Sequence, residues 1–167
     1  MWLVFSIEFF YGYDFGWLGI KPRSFSGLIG ILTAPLIHGN LAHLVSNTVP
    51  LLFLGSVLFF FYARIGGIVF FRCYIFTNLL VWLLSPRVSF HIGASGLIYG
   101  ISSFLIFFGL IRKDFWSLTI SVVVLIMYGG IFYGVLPVDP RISWESHLAG
   151  AVVGATTAFD LGNRAKV

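Results

Sequence analysis

Residues 91–100 read HIGASGLIYG. The chain is strongly apolar on both sides, through residues 79–84 before and 104–108 after. A hydroxyl in hydrocarbon costs free energy unless it is hydrogen-bonded. A serine between glycines, with a tyrosine one helical turn further on, is therefore either packing glue or chemistry. The solvent of the chain comes first. Its 167 residues suffice for one domain. It is 59% hydrophobic and only 10% charged, with a mean hydropathy of +0.99. A soluble domain carries about 25% charged residues, so there is too little charge here to cover a surface facing water. The natural solvent is a bilayer, and the 19 glycines fit it, because glycine lets membrane helices approach closely.

The net charge of +4 is dispersed as single or paired Lys and Arg at the ends of apolar runs. That pattern flanks membrane spans and contains no nucleic-acid patch. The lone Cys73 rules out an intrachain disulfide. No basic residue precedes the first apolar run and no small-residue cleavage site follows it, so it does not read as a cleavable signal peptide.

Length and charge-free runs predict about six spans: 2–13, 41–62, 68–84, 95–111, 115–133 and 147–161. The first is too short to cross, since twelve residues rise about 18 Å against about 30 Å of hydrocarbon. The expectation is a helix trimmed at its N-terminus within a single membrane domain over 1–167, with Glu8 facing other helices. A more polar connection runs from 14 to 26, and Arg64-Ile65-Gly66-Gly67 reads as a tight turn. A loop with Pro137, Asp139, Pro140 and Arg141 leads to the last span. With the tail inside, Arg64, Arg112, Lys113, Arg164 and Lys166 fall on the inner side, against Lys21, Arg23, Arg87 and Arg141 outside. This weak bias places the starts of spans two, four and six on the outer side.

Polar groups within spans are expensive and mark function by default. Three clusters stand near those outer ends. In HGNLAHLVSN, His43 and Asn47 share a helix face and His38 lies at or before the helix start. Two histidines without a cysteine or a nearby carboxylate make a poor zinc set; interhelical hydrogen bonding is the plain reading. In GASGLIYG, Ser95 opens a helix whose first N–H groups are unpaired and favour an anion. Gly93 and Gly96 leave room for a substrate backbone, and Gly96 with Gly100 forms a small-xxx-small face. The run is not the G-x-S-x-G hydrolase elbow, because Leu97 fills the last place. In SHLAGAVVG, His147, Gly150 and Gly154 share one face. Each cluster alone has a packing explanation.

Together they supply every part of an acyl-transfer site. A serine needs a base, and the glycine faces allow His147 to meet Ser95. An oxyanion needs donors, which Asn47, His38 and the Ser95 N–H can provide. His91 reads as a loop residue, Glu145 points away from His147, Ser102 and Ser103 are packing hydroxyls, and Cys73 faces lipid or core.

These three motifs, in this order, resemble the rhomboid family of intramembrane serine proteases. The resemblance covers nearly the whole chain. It implies an all-α, six-helix membrane bundle and a dyad with Ser95 as nucleophile and His147 as general base. It further implies His38 and Asn47 as oxyanion residues, Tyr99 packed on the catalytic imidazole, His43 in a structural place and Gly93 beside the serine. It implies transmembrane protein substrates cut near the outer membrane face, with no cofactor or metal. The expected location is a bacterial cytoplasmic membrane, with the site open to the outer side. Two departures stand out: the family's Trp-Arg pair is missing near Leu28-Ile29-Gly30, and Phe59, Phe60 and Phe61 replace an acidic residue late in the second span. The alternatives are an inactive relative that binds transmembrane clients, and a small transporter or channel. The latter would show inverted sequence halves, which are not seen. Peptide hydrolysis needs water, so the dyad must face a hydrated cavity, with irregular backbone such as 91–93 at its wall. The loop 136–145 is a candidate movable cap.

Overall fold

The computed structural model describes residues 1–139 and 142–164. Pro140, Arg141 and Lys166, named above for the last loop and the tail, lie outside the described residues. Among the described residues, seven α-helices follow in order: α1 (Trp2–Tyr11), α2 (Gly30–Thr33), α3 (Leu41–Phe61), α4 (Ala63–Leu84), α5 (Ser95–Arg112), α6 (Phe115–Tyr128) and α7 (Trp144–Arg164). Short 3-10 turns occupy Gly16–Leu18, Ser26–Leu28, Ala34–Leu36 and Gly129–Val135. Among the described residues there is no β-strand, and the isolated bridge Ile20–His91 is the nearest approach to one.

Local chemistry sets the ends. The Asn40 side chain caps α3 by accepting from the His43 N–H at 2.8 Å, and Asp114 caps α6 from the Ser117 N–H at 3.0 Å. α1 stops at Gly12 with φ 70, a left-handed conformation that glycine adopts without strain.

α5 is the axis of the bundle. Most of its residues are buried, and it packs against α3, α4, α6 and α7. Its closest partner is α7. A Cβ on Gly150 would lie 2.1 Å from the Gly96 carbonyl oxygen, and one on Gly154 would lie 2.0 Å from that of Gly100. The two helices therefore touch backbone to backbone, as small residues permit in membranes. The Ser103 hydroxyl donates to the Ala151 carbonyl at 2.8 Å across the same seam, and an Arg72–Asp160 ion pair at 2.7 Å joins α4 to α7.

By length and composition, α3, α4 and α5 can cross a membrane. α1 and α6 are apolar but shorter. α7 has 21 residues, about 31 Å of rise, and carries Glu145, Asp160 and Arg164.

Three expected boundaries move. Residues 64–67 are not a turn: α4 starts at Ala63, and Tyr62 alone separates it from α3. Gly66 packs against Phe59, at 3.1 Å from its would-be Cβ, so the glycine serves helix packing and not chain reversal. The fifth span ends at Tyr128, where Gly129-Gly130 opens a 3-10 segment. The sixth starts earlier, at Trp144, which takes residues 144 and 145 out of the expected loop. Arg72 and Asp160 lie inside the expected spans 68–84 and 147–161, which are therefore not free of charge; each is the other's ion-pair partner.

The first connection packs onto α4 without a Trp-Arg pair. Trp82 Nε1 donates to the Ser24 carbonyl at 2.9 Å, and Asn78 Nδ2 to that of Ile31 at 2.9 Å. Gly30 stands where a Cβ would meet the Gly19 carbonyl carbon at 2.4 Å. The missing side chain lets residues 19–20 lie directly on α2.

Candidate functional site

Ser95 is the first residue of α5, and no side chain caps that helix start. Its N–H therefore has no intrahelical partner and adds to the positive end of the helix dipole. The preceding turn is held by Gly93, which has φ 104 and donates its N–H to the Ala34 carbonyl at 2.9 Å. A Cβ there would lie 2.6 Å from His43 Nε2. Gly93 thus lets the serine turn sit against the His43 ring.

His147 lies one turn into α7, buried. The glycine seam brings its ring to Ser95, with Nε2 2.8 Å from the serine Oγ. Its Nδ1 lies 2.9 Å from the Gly134 carbonyl oxygen. A carbonyl can only accept, so the Nδ1 proton is assigned by this contact. Nε2 is then the acceptor, and the Ser95 hydroxyl donates to it. Tyr99 stacks on the imidazole, with ring centroids 4.1 Å apart and planes 8° from parallel. A backbone carbonyl and an aromatic face thus orient the histidine. Glu145 does not touch it.

Both residues line a cavity of about 910 Å³. His43, Asn47, Tyr99, Gly134 and His91 share its wall. Asn47 Nδ2 donates to the His43 carbonyl at 2.8 Å, which leaves the amide one further N–H. Pro50 lies inside the continuous α3 on the same wall, one turn beyond Ser46. Proline supplies no N–H for the Ser46 carbonyl. Such a free backbone group is tolerated at membrane depth where it faces a water-filled cavity.

His38 departs from its expected place. It is 2% exposed, does not line the cavity, and lies behind His43 with ring centroids 4.9 Å apart. Its ring nitrogens have no hydrogen bond of good geometry among the described residues, with the Leu36 backbone close by. Burial, with His43 close by, lowers its pKa to about 4, so the ring is neutral. His43, expected to be structural, is the histidine on the cavity wall. The reason is register: the helix begins at Leu41, so His43 projects from its first turn beside Gly93, and His38 falls under the preceding turn. Gly96, Gly100, Gly150 and Gly154 form the helix seam as expected, but Gly93 and Gly96 do not leave room for a substrate backbone, because His43 fills the space beside the first and Thr77 with Ser146 that beside the second.

Sequence reasoning missed two features. Gly134 is one: a Cβ there would lie 2.2 Å from the Tyr99 hydroxyl and 3.0 Å from His147 Nδ1. A glycine four residues after Gly130, outside any tight turn, was its only sign. The other is a polar cluster bracing the start of α7. His91 is 4% exposed. Its ring bridges the Ser85 and Ser143 hydroxyls at 3.1 and 2.6 Å, and its backbone pairs with Ile20. Glu145 is buried and takes both arms of Arg87, one at 2.6 Å to the guanidinium Nε. Arg87 also donates to the Ile142 carbonyl at 2.6 Å. An Arg and a Glu 58 residues apart carry no local signal. Among the described residues, no group of three His, Cys, Asp or Glu could hold a metal ion.

A family model described as the Rhomboid domain matches residues 26–164. Uncharacterized proteins of Mycobacterium tuberculosis and Mycobacterium bovis are each 37% identical, with 84% of this chain and 62% of theirs aligned. One from Mycobacterium leprae is 39% identical, over 84% of this chain and 59% of its own. The chain spans about three fifths of the length of these curated relatives. No solved structure matches it.

Proposed function

The chain belongs to the rhomboid family and is an integral membrane protein, and from that premise we propose that it is an intramembrane serine endopeptidase. One observation carries the reading. Ser95 Oγ stands 2.8 Å from His147 Nε2 while His147 Nδ1 is held on the Gly134 carbonyl, on the wall of a cavity large enough for an extended strand and water.

In this reading Ser95 Oγ attacks the scissile carbonyl carbon and passes its proton to Nε2. The developing oxyanion takes hydrogen bonds from the Ser95 N–H, the free Asn47 N–H and the His43 ring, all at the cavity wall. The imidazolium is stabilised by the Gly134 carbonyl and by the face of Tyr99. Collapse breaks the C–N bond, and the amine leaves with the Nε2 proton. A water from the cavity then attacks the acyl ester, again giving its proton to Nε2, which returns it to Ser95 Oγ. His43 replaces His38 as an oxyanion donor because it has access to the cavity.

The substrates in this reading are transmembrane segments, cut near the outer face of a bacterial cytoplasmic membrane. The test is co-expression with a panel of tagged single-span membrane proteins. Fragments that appear with the intact chain and vanish with Ser95→Ala support a protease. A panel that stays uncut while still co-purifying with the chain would make it a binder of transmembrane clients.

A further inference from the structure

A second cavity, of about 790 Å³, lies at the opposite end of the bundle from Ser95. The α3–α4 junction, the end of α5, the start of α6 and the end of α7 enclose it. Arg64, Arg112 and Arg164 line it from three different helices, with Asp114 as the carboxylate on its wall. Arg112 pairs with Asp114 at 3.2 Å and Arg164 with Asp160 at 2.8 Å. Arg64 has no ion pair among the described residues. The Tyr62 hydroxyl, on the same wall, is buried beside Ser117 and has no hydrogen bond of good geometry among them. Apart from Ser117, the rest of the wall is aromatic and aliphatic, with Phe61 and Trp116 6.4 Å apart by ring centroid.

We propose that this cavity binds the phosphate of an anionic phospholipid, with the arginines and Tyr62 on the headgroup and the Phe61–Trp116 side against the glycerol and upper acyl chain. Arginine matches phosphate geometry, and basic pockets between membrane helices on the charge-rich side suit such headgroups. The aromatic wall favours an amphiphile over a free inorganic ion, and interfacial tryptophan belongs at headgroup depth. The site is remote from the dyad and stands whether or not the dyad hydrolyses peptides.

The test is native mass spectrometry of the purified chain after exchange into phosphatidylglycerol or phosphatidylcholine, with inorganic phosphate as a third arm. Retention of phosphatidylglycerol about fivefold or more above phosphatidylcholine is expected, with no adduct from phosphate alone. Arg64→Gln should lower that retention about fivefold, and Lys21→Gln, which removes one charge at the other end, should leave it unchanged. Circular dichroism confirms that the variants are folded, and Tyr62→Phe gives a second, milder reduction. Equal retention of both lipids would overturn the proposal, as would equal losses in Arg64→Gln and Lys21→Gln, or a phosphate adduct of matching strength.

Discussion

At the scale of single residues, the reading turns on which groups can reach the cavity. Asn47→Ala and His43→Ala should each lower kcat about 10²–10³-fold on a cleaved substrate, the usual effect of removing one oxyanion donor. His38→Ala should instead lower the unfolding midpoint and leave kcat within about tenfold, because its ring is buried behind His43. Reversed effects would restore His38 to the oxyanion role and remove His43 from it. Gly134→Ala is the sharper probe of the histidine's seat. A methyl group there meets both the Tyr99 hydroxyl and His147 Nδ1, so activity should fall at least about tenfold with little loss of fold. That Ser95, His147, Asn47 and Tyr99 share one cavity wall was legible in the sequence, because polar atoms in apolar runs need a reason. The relative positions of His38 and His43 were not, since they depend on where helix α3 begins. Gly134 was invisible because its requirement comes from two side chains distant in sequence.

At the scale of elements, the α5–α7 seam sets the distance between Ser95 and His147. Gly150→Val or Gly154→Val cannot fit without separating the helices, given carbonyl oxygens near 2 Å from the would-be Cβ atoms. Each should cost about 1–3 kcal/mol of stability and remove activity. Gly55→Ala, with open space around it, should be neutral or stabilise by about 0.5–1 kcal/mol. Thermal unfolding in detergent, run beside a cleavage assay, separates the two outcomes. The small-xxx-small spacing announced this seam in advance. The brace at the start of α7 was not announced, because Arg87, His91 and Glu145 come together only through the fold. Burial lowers the His91 pKa below the ordinary 6.5, so the folded state prefers the neutral ring. The unfolded chain then binds the proton first, and the stability contributed by His91 is whole above about pH 6.5 and declines below it. Unfolding midpoints measured between about pH 5 and 8 should fall on the acid side. His91→Asn should flatten part of that fall, the buried neutral His38 accounting for a further part with the same sign. An unaltered slope in His91→Asn would remove His91 from the brace.

At the scale of the whole molecule, a mostly apolar bundle encloses a polar cavity at one end and a basic one at the other. The membrane character followed from composition, and the all-helical bundle from the apolar run lengths and the family resemblance. The first connection was less legible, because its contacts to α4 run through Trp82 and Asn78 to backbone carbonyls, a pattern with no signature in spacing. On the proposed reading, this arrangement sets the Ser95 hydroxyl against His147 Nε2, with the tautomer fixed by the Gly134 carbonyl, on the wall of the polar cavity. The most direct measurement is covalent labelling of the detergent-solubilised chain by a fluorophosphonate probe, with the adduct located by peptide mass spectrometry. The account predicts a phosphonylated Ser95 in the intact chain and no label in either Ser95→Ala or His147→Ala. Failure of the intact, folded chain to react, or label that persists in Ser95→Ala, would contradict it.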